Sequence, residues 1–536
     1  MELSPSAHVD TFCRDNLPPF DQWPELLFTV PEVHYPDRLN CGVELLDKVV
    51  QRLGPDRPAL HAPGSPTWSY GQLLATANRV AHVLTADLGV VPGNRVLLRG
   101  PNNPWLVACW LGVLKAGAVV VTTMPLLRSS ELATIHEIAR INVSLCDHRL
   151  VEDLEAAGID APLVTYGGDG PDDLTRRVQR HPDTFTNVET AADDVALLAF
   201  TSGTTGRPKA TMHFHRDVLA NADTFSRYVL RPHQDDVFTG TPPLGFTFGL
   251  GGLVVFPLHV GASTLLIERC TPAELASLIE EFDVSIVFTA PTAYKMMIAG
   301  GDVTPLKTLR SAVSAGEHLP GATWQAFKDA TGVSIIDGIG ATEMLHIFVS
   351  SAGDDIRPGS TGFAVPGYVA TVLDEDGNQA PPGVPGRLAV KGPTGCRYLN
   401  DPRQRDYVQN GWNITGDTFA LDDDGYFWYQ ARSDDMIISS GYNIAGPEVE
   451  EALLRHADVA ECGVVGVPDE ARGMLVKAYV VLAEGVHGDD AKVKELQDFA
   501  KQQIAPYKYP RVIEFVTELP RTATGKLQRF RLRDRT

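Results

Sequence analysis

The string Thr201-Ser202-Gly203-Thr204-Thr205-Gly206-Arg207-Pro208-Lys209 concentrates the most specific chemistry in this chain. Its glycines let backbone N–H groups turn toward one point, its hydroxyls donate further hydrogen bonds, and Lys209 adds a point charge. Such a loop cradles a polyphosphate. It is not a Walker A loop, because two residues rather than four separate Gly203 from Gly206, and Ala210 follows the lysine. An apolar run over residues 195–200 leads into it and has the length of a buried strand. Two other groupings suggest metals and are read otherwise. His213-Phe214-His215 has no third ligand in view and is read as structural. Asp422-Asp423-Asp424-Gly425 lacks the closing glutamate of a twelve-residue calcium loop and is read as a solvated turn.

The elements that must position the loop follow from alternation. A helix is expected to start near residues 68–73 and run to about residue 84. A strand is expected over 94–98, a helix over about 105–115, and a strand over 118–122. Beyond the loop, a strand is expected over 263–267. Thr271-Pro272-Ala273-Glu274 has capping-box spacing with proline at the first helical position, and its helix should end near Phe282. The next strand is expected over 284–289. Strands alternating with helices imply parallel sheets covered by helices, which bind ligands at the C-terminal ends of their strands. The phosphate loop, Ala290-Pro291-Thr292, Ser314-Ala315-Gly316-Glu317 and residues 337–343 are expected at such ends. From about Gly359, short strands with Gly/Pro turns suggest a small β-rich part. A helix opening at Pro447 and strands over 459–467, 477–482 and 511–515 suggest a compact α+β unit at the end. Residues 1–40 read as an irregular arm packed on the body.

With 536 residues the chain needs two or more cores. Lys+Arg number 46 against 67 Asp+Glu, a formal charge of −21. That balance argues against nucleic acid or an anionic membrane as partner. The seven cysteines are scattered and without CxxC, as suits a reducing cytosol. Residues 1–19 have no basic-then-apolar leader, so a cytoplasmic location is expected. The longest apolar stretch, 105–124, holds Lys115 and two glycines and is read as a buried helix followed by a strand.

The nine-residue phosphate string closely resembles that of the adenylate-forming superfamily, which comprises acyl-CoA synthetases, adenylation domains and luciferases. Further signatures follow in the superfamily's order from about residue 60 to 530. The resemblance implies an α/β fold: a large N-terminal domain (1–433) of α/β sheet subdomains with a small β-barrel-like subdomain, and a small mobile α+β C-terminal domain (434–536). It implies that Thr201, Ser202, Gly203, Thr204, Thr205, Gly206 and Lys209 hold ATP phosphates. Asp337, Gly338 and Ile339 open the segment that would hold adenine, where Ile339 replaces a frequent aromatic. Thr342 would hold the α-phosphate and Glu343 the Mg2+, an ion that takes hard oxygen ligands. Gly316, Glu317 and His318 match the other side of the nucleotide.

Asp417, in Trp412-Asn413-Ile414-Thr415-Gly416-Asp417, matches the aspartate that takes both ribose hydroxyls, for which a carboxylate is a suitable bidentate acceptor. Arg432 would help. Asp434 matches the hinge, and Gly441, followed by Tyr442, the coenzyme A passage. Asn443 stands where many members carry arginine. Lys526, in Pro520-Arg521-Thr522-Ala523-Thr524-Gly525-Lys526, matches the catalytic lysine.

The residues matching the acyl pocket are Phe246, Phe248, Ala290, Ala315, Gly340, His346 and Ile347, and Phe246 sits at a gate that is often histidine. The string Thr342-Glu343-Met344-Leu345-His346-Ile347-Phe348 looks like the benzoate-CoA ligase branch. Residues 6–12 and 439–449 look closest to 2-aminobenzoate-CoA ligases. Flat aromatic walls suit a small aryl acid. The implied reaction is acid plus ATP to acyl-AMP, then thioester formation on coenzyme A, with Mg2+ as cofactor. The implied partners are a small aromatic carboxylic acid, ATP and CoA, and a homodimer is left open. Loading of a carrier protein, a medium-chain acyl substrate, and a nucleotide-binding regulator or phosphohydrolase remain the alternatives.

Overall fold

The computed structural model describes residues 2–201, 207–316, 319, 321–432, 436–520 and 529–533. The fold class is the expected one. Two large sheets form the main body. One has six strands in the order Leu163–Tyr166, Val143–Asp147, Arg95–Arg99, Val119–Thr123, Val195–Thr201 and Lys209–Phe214. Its pairs are parallel except the last, an antiparallel hairpin whose register sets Thr201 opposite Lys209. The other has nine strands, and those at Pro58–His61, Ser263–Leu265, Val237–Gly240, Ile286–Thr289, Ser311–Ser314 and Ile335–Gly340 run parallel through its centre.

The sequence dictates this layering. Parallel strands buried on both faces need continuous apolar runs, and Arg95–Arg99 and Val143–Asp147 are buried at every position. The helix Pro104–Lys115 is apolar nearly all round and buried except at Trp105, as a helix enclosed within a core must be. It starts on Asn103, whose side chain accepts the Leu106 N–H. The strand Val119–Thr123 follows it, so the stretch 105–124 folds as expected. Among the described residues no helix is long and apolar enough to cross a membrane.

The capping box at Thr271 forms in both directions, and its helix is Pro272–Glu281. The helix Tyr70–His82 ends earlier than expected and continues as the wider turns of Val83–Asp87. The N-terminal arm is tied to a carboxylate pair. Ser4 N–H donates to Asp193, and Ser6 and the Ala7 N–H donate to Asp194. An antiparallel five-stranded sheet is built from Val369–Leu373, Gly386–Lys391, Val408–Gln409, Trp412–Leu421 and Phe427–Arg432. A last sheet, from Met436–Ser439 to Val512–Phe515, has its own core of Ile437, Ile444, Val449, Leu453, Val464, Val476 and Leu496. The seven cysteines are all free.

Candidate active site

A cavity of about 840 Å³ opens where the two large sheets, the five-stranded sheet and the C-terminal unit meet. Fifteen of the residues singled out in the sequence line it: Thr201, Lys209, Phe246, Phe248, Ala290, Ala315, Gly316, Gly340, Thr342, Glu343, His346, Ile347, Asp417, Gly441 and Tyr442. Most arrive from the ends of elements, whereas Asp417 lies in the middle of the strand Trp412–Leu421. Thr201 closes one strand and Lys209 opens the next. Ala290 and Ala315 directly follow the parallel strands Ile286–Thr289 and Ser311–Ser314. Gly316 has φ +88°, a left-handed conformation that glycine adopts without strain.

The structure does not bring Asp337, Gly338 or Ile339 to the cavity wall. The strand Ile335–Gly340 extends through them instead of ending before them. A β-carbon on Gly338 would meet Ile347 at 2.7 Å, and Ile339 packs against the main core opposite Val349. Burial pushes the Asp337 carboxyl up to about 8. Arg432 lies opposite Asp417 in strand register. Ser202, Gly203, Thr204, Thr205, Gly206, Glu317, His318, Asp434 and Lys526 lie outside the described residues.

The polar end of the cavity is organised by a residue that sequence reading missed. Tyr398 is buried, accepts a hydrogen bond from Lys209 Nζ at 2.7 Å, and donates its own hydroxyl to Glu343 Oε1 at 2.5 Å. Lys209 and Glu343 are themselves 3.6 Å apart. Burial and the Glu343 charge push the Tyr398 hydroxyl far above its ordinary pKa, so it remains a donor. Its delivery is a matter of edge pairing. Met212 N–H donates to the Arg397 carbonyl and Leu399 N–H to the Ala210 carbonyl, which lays residues 397–399 along the strand Lys209–Phe214. Arg397 is itself locked by a buried pair with Asp217. The partners of Tyr398 lie 55 and 189 residues away in sequence, so no local pattern announces its role.

The same strand and the helix that follows it, His215–Asn221, place the two histidines. His213 Nε2 lies 2.8 Å from the Thr342 carbonyl and supports that residue from behind. His215 Nδ1 accepts the Cys41 N–H at 3.1 Å. Burial holds both rings near pKa 3, hence neutral, in keeping with a structural role. Asp422 accepts the Asp424 and Tyr426 N–H groups and the Trp428 indole N–H, which makes its segment a turn.

The apolar end is an aromatic chamber around His346. Phe225, Phe248, Phe256 and Phe288 all approach its ring, with Phe256 edge-on at 4.6 Å. His346 is 3% exposed and burial lowers it to about pKa 3. Neither ring nitrogen meets a partner in ordinary hydrogen-bond geometry among the described residues, and the nearest backbone group, at Phe248, offsets the effect of burial only in small part. The third side is the C-terminal unit. A β-carbon on Gly316 would lie 3.7 Å from the Gly441 carbonyl oxygen, and the Tyr442 ring stands 6.1 Å from Phe246 and stacks on Tyr507 at 4.1 Å.

Comparison with known proteins agrees with this layout. The benzoate–CoA ligase of Thauera aromatica is 36% identical over 518 residues, covering 94% of this chain and 98% of that protein. The crystal structure of an anthranilate CoA ligase in complex with anthranoyl-AMP matches with TM-score 0.72 at 35% identity, covering 94% of this chain and 98% of that one. A double mutant of the o-succinylbenzoate CoA synthetase of Bacillus subtilis, bound with its product analogue OSB-NCoA, matches with TM-score 0.82 at 26% identity, covering 92% and 98%. The profile of the AMP-binding enzyme family matches residues 46–397, and that of the AMP-binding enzyme C-terminal domain matches residues 448–526. The chain therefore belongs to the AMP-binding enzyme family.

Proposed function

We propose that the chain is an ATP-dependent aryl-acid–CoA ligase of the benzoate or 2-aminobenzoate type, acting in the cytoplasm. One observation carries this reading: a single cavity joins an aromatic chamber, a carboxylate–lysine group and a glycine–tyrosine passage from the C-terminal unit. A planar acid would lie among the phenylalanines, with its carboxylate toward Thr342 and Lys209. Ser202 to Gly206, with Thr201 and Lys209, would hold the phosphates. The segment of Gly316, Glu317 and His318 would face the nucleotide together with Gly340, and Asp417 and Arg432 would hold the ribose. Glu343 fits a magnesium ion. Its carboxylate is fixed by Tyr398 at the cavity wall, and one hard carboxylate is a usual protein share of such a site. Magnesium there would supply charge neutralisation at the phosphates.

The carboxylate attacks the α-phosphorus and pyrophosphate leaves. Lys209 and Lys526 are the cations that offset repulsion between the two anions. The domains are 1–433 and 434–536, and rotation about Asp434 exchanges Lys526 for Gly441, beside which the thiol of CoA enters.

The buried, neutral His346 at the cavity wall supports selection of an acid with a polar ortho substituent. The test is AMP release with Mg·ATP and benzoate, 2-aminobenzoate, 2-hydroxybenzoate, cinnamate, hexanoate or octanoate, with and without CoA. CoA-dependent AMP with aryl acids ahead of the alkyl acids is expected. CoA-independent turnover, or preference for octanoate, defeats the reading. His346→Ala should lower the preference for 2-aminobenzoate over benzoate about 10-fold, the worth of one hydrogen bond in a dry site. An unchanged ratio removes His346 from the specificity argument.

A further inference from the structure

Lys508 borders the same cavity from the C-terminal unit and is held between two carboxylates. It is 5% exposed, and its Nζ donates to Glu448 Oε1 and to Glu131 Oε1, each at 2.6 Å. The two bonds differ in kind. Glu448 sits on the helix Gly446–Leu454 of the same C-terminal unit, so that bond travels with Lys508. Glu131 sits on the helix Ser129–Ala139 of the main body, so that bond crosses between the units. Ser130 adds a second crossing contact, its hydroxyl donating to the Gln503 carbonyl at 3.2 Å.

Glu131 is fixed independently of Lys508. Its other oxygen accepts the Arg128 backbone N–H at 2.9 Å in the first turn of its own helix. The receiving carboxylate is thus oriented before the units meet. On the donating side, Tyr507 precedes Lys508 and stacks on Tyr442, which borders the cavity beside Gly441. A displacement of Lys508 would move that stack.

A contact made in only one of two arrangements shifts their populations by its differential free energy. Exposed ion pairs contribute little and buried ones more; Glu448 stays with Lys508 in either arrangement, so the differential contact is the one to Glu131. We infer that Lys508 is a positioning residue for thiol transfer: its bond to Glu131 holds the C-terminal unit where Gly441 and Tyr442 border the cavity, and adenylation does not use it. This rests on the two-step ligase reading above.

The test separates the half-reactions in the full-length chain. Pyrophosphate release without CoA reports adenylation, and adding CoA to preformed enzyme-bound acyl-adenylate reports thiol transfer. Lys508→Met keeps the apolar stem, and Glu131→Gln keeps the acceptor that caps its helix. Both should slow thiol transfer at least about 10-fold and leave adenylation within about 2-fold, the split expected of an interaction made in one step only. Equal loss in both steps, loss in adenylation alone, or no change overturns the inference.

Hydrogen exchange on the unmodified chain supplies a second measurement. The amides of Ala505, Tyr507, Lys508 and Tyr509 should gain protection when CoA joins acid and ATP, and unchanged protection also overturns it. An unmodified chain that forms no acyl-adenylate from any acid overturns the ligase reading, and this inference with it. Normal half-reactions beside indifferent variants overturn the inference alone.

Discussion

Tyr398 is where side-chain chemistry is most concentrated. Its hydroxyl accepts from Lys209 and donates to Glu343, so one atom sets the direction of two charged groups. Hydrogen bonds to charged groups contribute about 1.5–3 kcal/mol, which corresponds to roughly 10- to 100-fold in rate if felt fully at the transition state. Tyr398→Phe should therefore lower pyrophosphate exchange by at least about 10-fold while the KM for the acid changes little, because the ring still fills its buried place. Equal exchange rates in the variant and the parent chain would show that Lys209 and Glu343 hold their positions without the hydroxyl. Glu343, Lys209 and His346 were legible as chemistry because they stand in short strings of unusual composition. Tyr398 and Lys508 were not, because their partners lie far along the chain.

At the scale of elements, close approach decides the aromatic chamber around His346. The segment Gly251–Val255 is a stretch of wide helical turns, and a β-carbon on Gly251 would lie 2.3 Å from His346 Cδ2. Gly251→Ala should force the imidazole or the helix aside. The expected cost is about 1–3 kcal/mol of stability, as for other overpacked cores, with a raised KM for aryl acids. Denaturant midpoints and acid titrations check both, and a variant unchanged in both would mean that the chamber yields freely. Element existence was largely readable from apolar runs and from the cap at Thr271. Element ends were less so. The strand Ile335–Gly340 continues through Asp337 because pairing with its antiparallel neighbour Ile347–Ser350 extends it, and that partner is invisible to local pattern.

For the whole molecule, three buried histidines make stability fall with acidification. Burial lowers His213, His215 and His346 from 6.5 to about 3. The unfolded chain then binds more protons between those values, so their contribution is full above about pH 6.5 and is lost as pH falls. The slope should be of order 1 kcal/mol per pH unit for each histidine. Urea midpoints at pH 7, 6 and 5 check this. His215→Gln should flatten the curve by about one proton, and equal midpoints at pH 7 and 5 would contradict the burial argument.

The sequence alone determined the α/β class and the glycine- and hydroxyl-rich string 201–209. Local composition carries these directly, because strand runs, glycine turns and hydroxyl clusters are each made of neighbouring residues. Only the tertiary structure decided that fifteen residues from Thr201 to Tyr442 share one cavity, that Tyr398 ties Lys209 to Glu343, and that Lys508 bridges two separate units. The physical reason is common to all three. Burial and hydrogen bonding act over a few ångströms in space, whereas sequence pattern records only what lies within a few residues along the chain.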